Sequence, residues 1–125
     1  FGQVAVVHND NSVQITVDQF GQTFAGEGVY LLASGRRGQY ELSGFNPYTR
    51  LYPTIVASSP ETSADAPLTS EQFTIVELNY PEYVTTDALG NAVLYIHGAL
   101  ETSGNDAGMY FDTSYNALLD ITINY

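Results

Sequence analysis

The side chains able to do chemistry in this chain are few and scattered. The two imidazoles, His8 and His97, each stand in strand-like sequence without a second His nearby. A metal site needs more His, or clustered carboxylates, around such a residue, so both read as ordinary sheet residues. Asn9-Asp10-Asn11 and Asn105-Asp106 are oxygen-rich turns of a composition that can hold calcium, but neither follows the loop pattern of a dedicated calcium site. They read as solvated turns. No Ser sits in a Gly-x-Ser-x-Gly elbow. No catalytic residue, metal or cofactor is therefore expected, and the chain reads as something other than an enzyme.

Two other groups of residues stand out. Arg36-Arg37 is a paired cation between glycines, read first as a solvated hairpin tip and second as an anion contact or a docking point for an acidic neighbour, which in so negative a chain includes another copy of itself. Ten Tyr accompany six Phe, one Met and no Trp, a composition that favours sheets. Tyrosine offers a stiff apolar body with a polar tip. Core packing comes first among its uses here, a subunit interface second and carbohydrate stacking third.

Charge narrows the partners. Fourteen carboxylates against three basic residues, all Arg, give a net charge of −11. That field repels nucleic acid and anionic membranes. The absence of Cys removes disulfides and thiolate metal sites, so packing alone must hold the fold. No apolar run is long enough for a helix to cross a membrane. The opening at Phe1-Gly2 carries no leader-like stretch, and the expectation is a secreted precursor that has lost its leader or a start within a longer chain.

The elements that must position these residues are strands. A chain of 125 residues is expected to form one domain, residues 1–125, with a real core. Its closing stretch carries the clearest pattern: Leu119, Ile121, Ile123 and Tyr125 alternate with Asp120, Thr122 and Asn124. Period two marks a strand with one buried face. Burying all four apolar side chains is worth roughly 6–10 kcal/mol at about 1.5–3 each. Gln3–His8 and Val13–Val17 read as a hairpin about the Asn9–Ser12 turn. Phe20–Gly28 reads as a loop, and Val29–Ala33 as a strand buried on both faces or a helical turn. Gln39–Ser43 alternates. Arg50–Ala57 is strand-like, with Pro53 placing it at an edge or bulge. Ser58–Ser70 is the longest polar loop. Gln72–Tyr80 is apolar on both faces, as a central strand would be, and Ala92–Leu100 is a long strand after the Asp87–Asn91 turn. No amphipathic helix emerges, and six to eight short strands are expected in an all-β antiparallel sandwich.

Taken in order, several motifs resemble a known group. They are the Phe1-Gly2 opening, the Ser12-Val13-Gln14-Ile15 strand before a Gly-rich loop, and Gly38-Gln39-Tyr40-Glu41-Leu42-Ser43-Gly44. Then follow Gly90-Asn91-Ala92 leading into Ile96-His97-Gly98-Ala99-Leu100, and Gly108-Met109-Tyr110 through Tyr115 to Ile121-Thr122-Ile123-Asn124-Tyr125. The chain resembles a bacterial secreted domain family of uncharacterised function, similar to spore-coat-U-like and archaic chaperone–usher pilin subunits. The resemblance implies an immunoglobulin-like, pilin-like β-sandwich completed by strand exchange. It implies an extracellular filament on the cell surface, with copies of the chain and a periplasmic assembly chaperone as partners. The exchanged strand either precedes Phe1 or is the first segment itself. On this reading the subunit interface falls on Gln3, Val4, Ala5, Val6 and Val7 at one end and Leu119, Ile121, Ile123 and Tyr125 at the other. The alternative is a surface adhesin or carbohydrate-binding module.

Overall fold

The computed structural model describes residues 1–58, 61–64 and 71–125. Among the described residues twelve strands follow one another: β1 (Gly2–Val6), β2 (Gln14–Val17), β3 (Thr23–Ala25), β4 (Val29–Ser34), β5 (Gly38–Leu42) and β6 (Arg50–Ala57), then β7 (Ser63–Ala64), β8 (Thr74–Asn79), β9 (Val84–Thr85), β10 (Ala92–Glu101), β11 (Tyr115–Asn116) and β12 (Leu119–Asn124). All pairings are antiparallel. The chain is thus all-β and sandwich-like among the described residues, with more and shorter strands than the periodicity suggests. Most of the polar Ser58–Ser70 stretch lies outside the described residues. Its described part includes β7.

The spine is β10, which pairs with β5 along its first half and is flanked by β2 and β8 along its second. A second sheet runs β12-β6-β9, and a two-stranded ribbon joins β1 to β4. Two buried clusters lie between these layers. One is Ile15, Val29, Phe73 and Leu100, covered by Val4, Val6, Tyr110 and Tyr115. The other is Ile55, Leu94 and Ile96, covered by Leu42, Leu78, Leu119 and Ile121. β10 supplies both, because Leu94, Ile96 and Leu100 all turn inward along one strand. Gly98 is where β8 comes closest: a Cβ there would run into the Glu77 carbonyl, so only a bare backbone fits.

Several expectations fail for identifiable reasons. β1 and β2 do not form a hairpin; β1 crosses to pair with β4. The Asn9 turn does not close a hairpin because the Asn9 side chain is bound elsewhere, to the loop after β10. Within the stretch read as a loop, Thr23–Ala25 forms β3 against β2. β3 also approaches β4 without a ladder, and Thr23 Oγ1 accepts the Gly35 N–H (2.8 Å). β4 is a strand, yet only Val29 is buried; the other five residues are exposed on both faces. Among the described residues the only strand that β8 pairs with is β10; its other edge carries a single isolated bridge, Thr74 to Glu61, so it is not central. Its double-sided apolar pattern has a simple origin. The register slips at Ala99/Leu100, leaving Val76 unpaired and exposed. That bulge resets the alternation, so Phe73 and Ile75 face one cluster while Leu78 and Tyr80 face the other.

Two sequence features behave as their chemistry requires. Pro53 lies opposite Ile123, and β9 reaches only Arg50 and Leu51, so the missing N–H meets no ladder on the other edge. In the Asp87–Asn91 turn the Asp87 carboxylate accepts from Leu89 N and Asn91 N (both 2.9 Å).

Candidate functional site: a cleft beside the first strand

β1 has one paired edge, toward β4; among the described residues no strand pairs with the other. Across from that open edge runs the segment from Tyr110 to Asn116, and between them lies a cleft of about 960 Å³. Its floor is made by Ile15, Phe73 and Leu100, members of the first core cluster, at 1%, 5% and 8% exposure. Its rim is open and mixed: Phe1, Leu32 and Phe111 are exposed there beside polar residues that include Asp112 and Ser114.

The far wall is held by aromatic rings. Phe73 lies 4.6 Å from Tyr110 and 5.1 Å from Tyr115, the latter edge-on. Such pairs add about 0.5–1.5 kcal/mol beyond area burial. The Tyr110 hydroxyl accepts from Ser103 N and donates to Gln72 O (both 2.9 Å). Burial pushes the Tyr110 phenol above its ordinary pKa of 10.0, so it stays a neutral donor. The Tyr115 hydroxyl accepts from Phe111 N (2.9 Å) and donates to Phe111 O (3.0 Å), which fixes the turn of the wall. β11 pairs with β7 behind it.

The residues expected at a subunit interface separate into two places. Gln3, Val4, Ala5 and Val6 line the cleft. Val7 lies past the end of β1 and is exposed. Leu119, Ile121 and Ile123 sit in β12 against β6, and the first two pack on the second cluster. Tyr125 is not buried; it is 82% exposed and meets Phe45 edge-on at 5.2 Å. The structure adds Leu32, Phe73 and the Tyr110–Asn116 wall to the cleft. Their convergence depends on the fold, and no local spacing announces it.

The chemical candidates resolve differently. His97 is half-buried opposite Asn79 on β10, and His8 borders a smaller hollow with Asp10 and Glu27. Among the described residues no group of three or more His, Cys, Asp or Glu is arranged to hold a metal. Asn9 is not solvated. It is buried, its amide donating to Ser103 Oγ (2.8 Å) and Asn105 O (3.0 Å) while its oxygen accepts from Gly104 N (3.0 Å). The two oxygen-rich turns are thus tied to each other. Arg37 is not a free tip either: its guanidinium lies 3.7 Å from the Tyr95 ring centre and donates to Gln19 O (3.0 Å). Arg50 lies over Tyr83 at 4.5 Å. Among the described residues no helix is long and apolar enough to cross a membrane.

No protein-family model, no curated protein and no solved structure gives a significant match to the chain.

Proposed function

We propose that the chain is the structural subunit of an extracellular filament on a bacterial surface, an immunoglobulin-like sandwich whose copies are joined by strand complementation. The observation that carries this reading is the cleft. It lies between a strand edge unpaired among the described residues and an aromatic-braced wall, and it opens onto core residues. The β1 wall of five residues, at roughly 3.3 Å each, offers a ladder of about 17 Å. A strand from another copy would satisfy that edge and bury alternate side chains against Ile15, Phe73 and Leu100. It would also cover an edge that otherwise invites aggregation. Gln3–Val6 would be the receiving wall. β12 is a second edge strand, open on the side away from β6 among the described residues. A periplasmic chaperone would serve to occupy the cleft before assembly.

Negative-stain imaging and sedimentation across a concentration series test this. Fibres are expected from the unaltered chain, and far fewer from Phe111→Asp, which places a charge on the exposed rim. A compact monomer at every concentration would remove the basis of the proposal.

A second reading, a surface adhesin that binds carbohydrate, draws on the outer face of the β6 sheet. Tyr52 and Tyr83 lie 6.0 Å apart there, with Arg50 over Tyr83. A glycan array without hits would dispose of it.

A further inference from the structure

We propose that Tyr52 and Tyr83 form an oxidative cross-linking site: a one-electron oxidant of the peroxidase class joins their rings into an intramolecular dityrosine that fastens β9 to β6. Neither strand exchange nor sugar binding is needed for it. Leu51 pairs with Val84 and Arg50 with Thr85, so the next step of the same ladder sets Tyr52 opposite Tyr83. Residues opposite each other on an antiparallel pair share one face of the sheet. Here it is the outer face, since Tyr52 is exposed while Leu51 and Pro53 beside it are buried. The ring centres are 6.0 Å apart, with planes tilted by 53°. At that separation the facing ring edges are close to van der Waals contact. Arg50 lies over Tyr83 at 4.5 Å and steadies that ring from its face.

The chemistry needs two phenols within reach of each other and of the oxidant. Each phenol gives up one electron and its hydroxyl proton. The two radicals join through ring carbons ortho to oxygen, and each joined carbon then passes its hydrogen, as a proton, to its own oxygen. One C–C bond forms, and hydrogen peroxide takes up the two electrons and two protons to become two waters. Tyr52 and Tyr83 are each 41% exposed, and among the described residues neither hydroxyl makes a hydrogen bond. A second pair, Tyr110 and Tyr115, is as close, at 5.8 Å. Its hydroxyls are already engaged, with Ser103, Gln72 and Phe111, and both residues are half-buried. An oxidant in solution therefore meets the exposed pair first. With no Cys and no Lys, the chain can form neither a disulfide nor a lysine amide link between side chains, and tyrosine is left as its cross-linking residue. The link falls where the ladder is short: β9 has two residues and pairs with β6 through Arg50 and Leu51. Covalent closure there restricts the unfolded chain and so stabilises the fold, as a disulfide does.

Treating the dilute protein with a haem peroxidase and hydrogen peroxide tests this, read by dityrosine fluorescence, intact mass and peptide mapping. The expected product runs as a monomer in denaturing gels, is lighter by two hydrogen atoms and maps to Tyr52 joined to Tyr83. Its rate constant should not change on dilution. Tyr52→Phe and Tyr83→Phe should each lower its yield about tenfold or more, because groups already in position react far ahead of those that must diffuse together. Tyr48 is more exposed, at 74%, but has no ring neighbour among the described residues, so Tyr48→Phe should leave the yield unchanged. The cross-linked protein should melt about 4 °C or more above the untreated one, with no such rise for treated Tyr52→Phe. A link mapped to Tyr110 and Tyr115, products joined only between copies, or an equal loss of yield in Tyr48→Phe and Tyr52→Phe would each overturn the proposal.

Discussion

β12 and β1 are both short strands, and each is paired along a single edge, β12 to β6 and β1 to β4. Around β12 the interior is closed. Leu119 and Ile121 lie on Ile55, Leu94 and Ile96, and Leu94 is fully inaccessible. Around β1 the interior is approached by a cleft, and the partner strand β4 turns most of its apolar side chains to water. The difference lies in what backs each strand. β12 rests on β6, whose alternate residues Leu51, Pro53 and Ile55 are all buried. β1 rests on β4, of which only Val29 is buried. A short strand gains most of its stability from the strand it leans on, and here the two supports are unequal.

Cutting equivalent leucines tests that inequality most strongly. Leu94→Ala should cost about 3–5 kcal/mol in chemical denaturation, the range for a sealed site that cannot collapse. Leu100→Ala, on the floor of the cleft, should cost about 2 kcal/mol, because water already reaches one side. Equal losses would mean that the two interiors are equally closed. Asn9→Ala should follow, at about 1–2 kcal/mol, since it removes the three hydrogen bonds by which the buried Asn9 side chain holds the loop after β10. A cost within about 0.3 kcal/mol would show that water replaces the amide freely.

Tyr110 gives a smaller effect with a pH signature. Its phenol is raised above the ordinary 10.0, chiefly by burial. A raised acid keeps its proton in the fold at a pH where the unfolded chain has lost it. Its contribution is therefore whole below about pH 10 and vanishes as pH climbs through the folded pKa. Tyr110→Phe should lower stability by about 1 kcal/mol at pH 7 and flatten the decline above pH 10. Parallel stability–pH curves for the two proteins would refute the buried assignment. Tyr30→Thr should change monomer stability least, within about 0.5 kcal/mol, as expected where a side chain is mostly wet. A larger loss would mean that β4 is better supported than its exposure indicates.

Much of the strand content is legible in the sequence, because period two and turn residues are local signals. β12, β10 and the Asp87 turn are read correctly from them. What is not legible is who sits beside whom. The run Val29–Ala33 looks like core because composition cannot distinguish a strand hidden between layers from one left at a margin. By alternation Val76 gives β8 a second apolar face, but a bulge there shifts the parity and leaves Val76 exposed. The pairing of β1 with β4 and the meeting of Phe73, Tyr110 and Tyr115 are non-local, so no spacing foretells them. Tyr125 extends the β12 pattern by one residue but lies past the last ladder position, where the strand's buried face has ended.

Because β10 feeds both clusters, neither half of the molecule can melt while the other stays intact. Loss of Leu94 and Ile96 from their places would drag Leu100 along the same ribbon. Heating should then produce one calorimetric peak whose van't Hoff and measured enthalpies agree, despite the two interiors and the several small sheets.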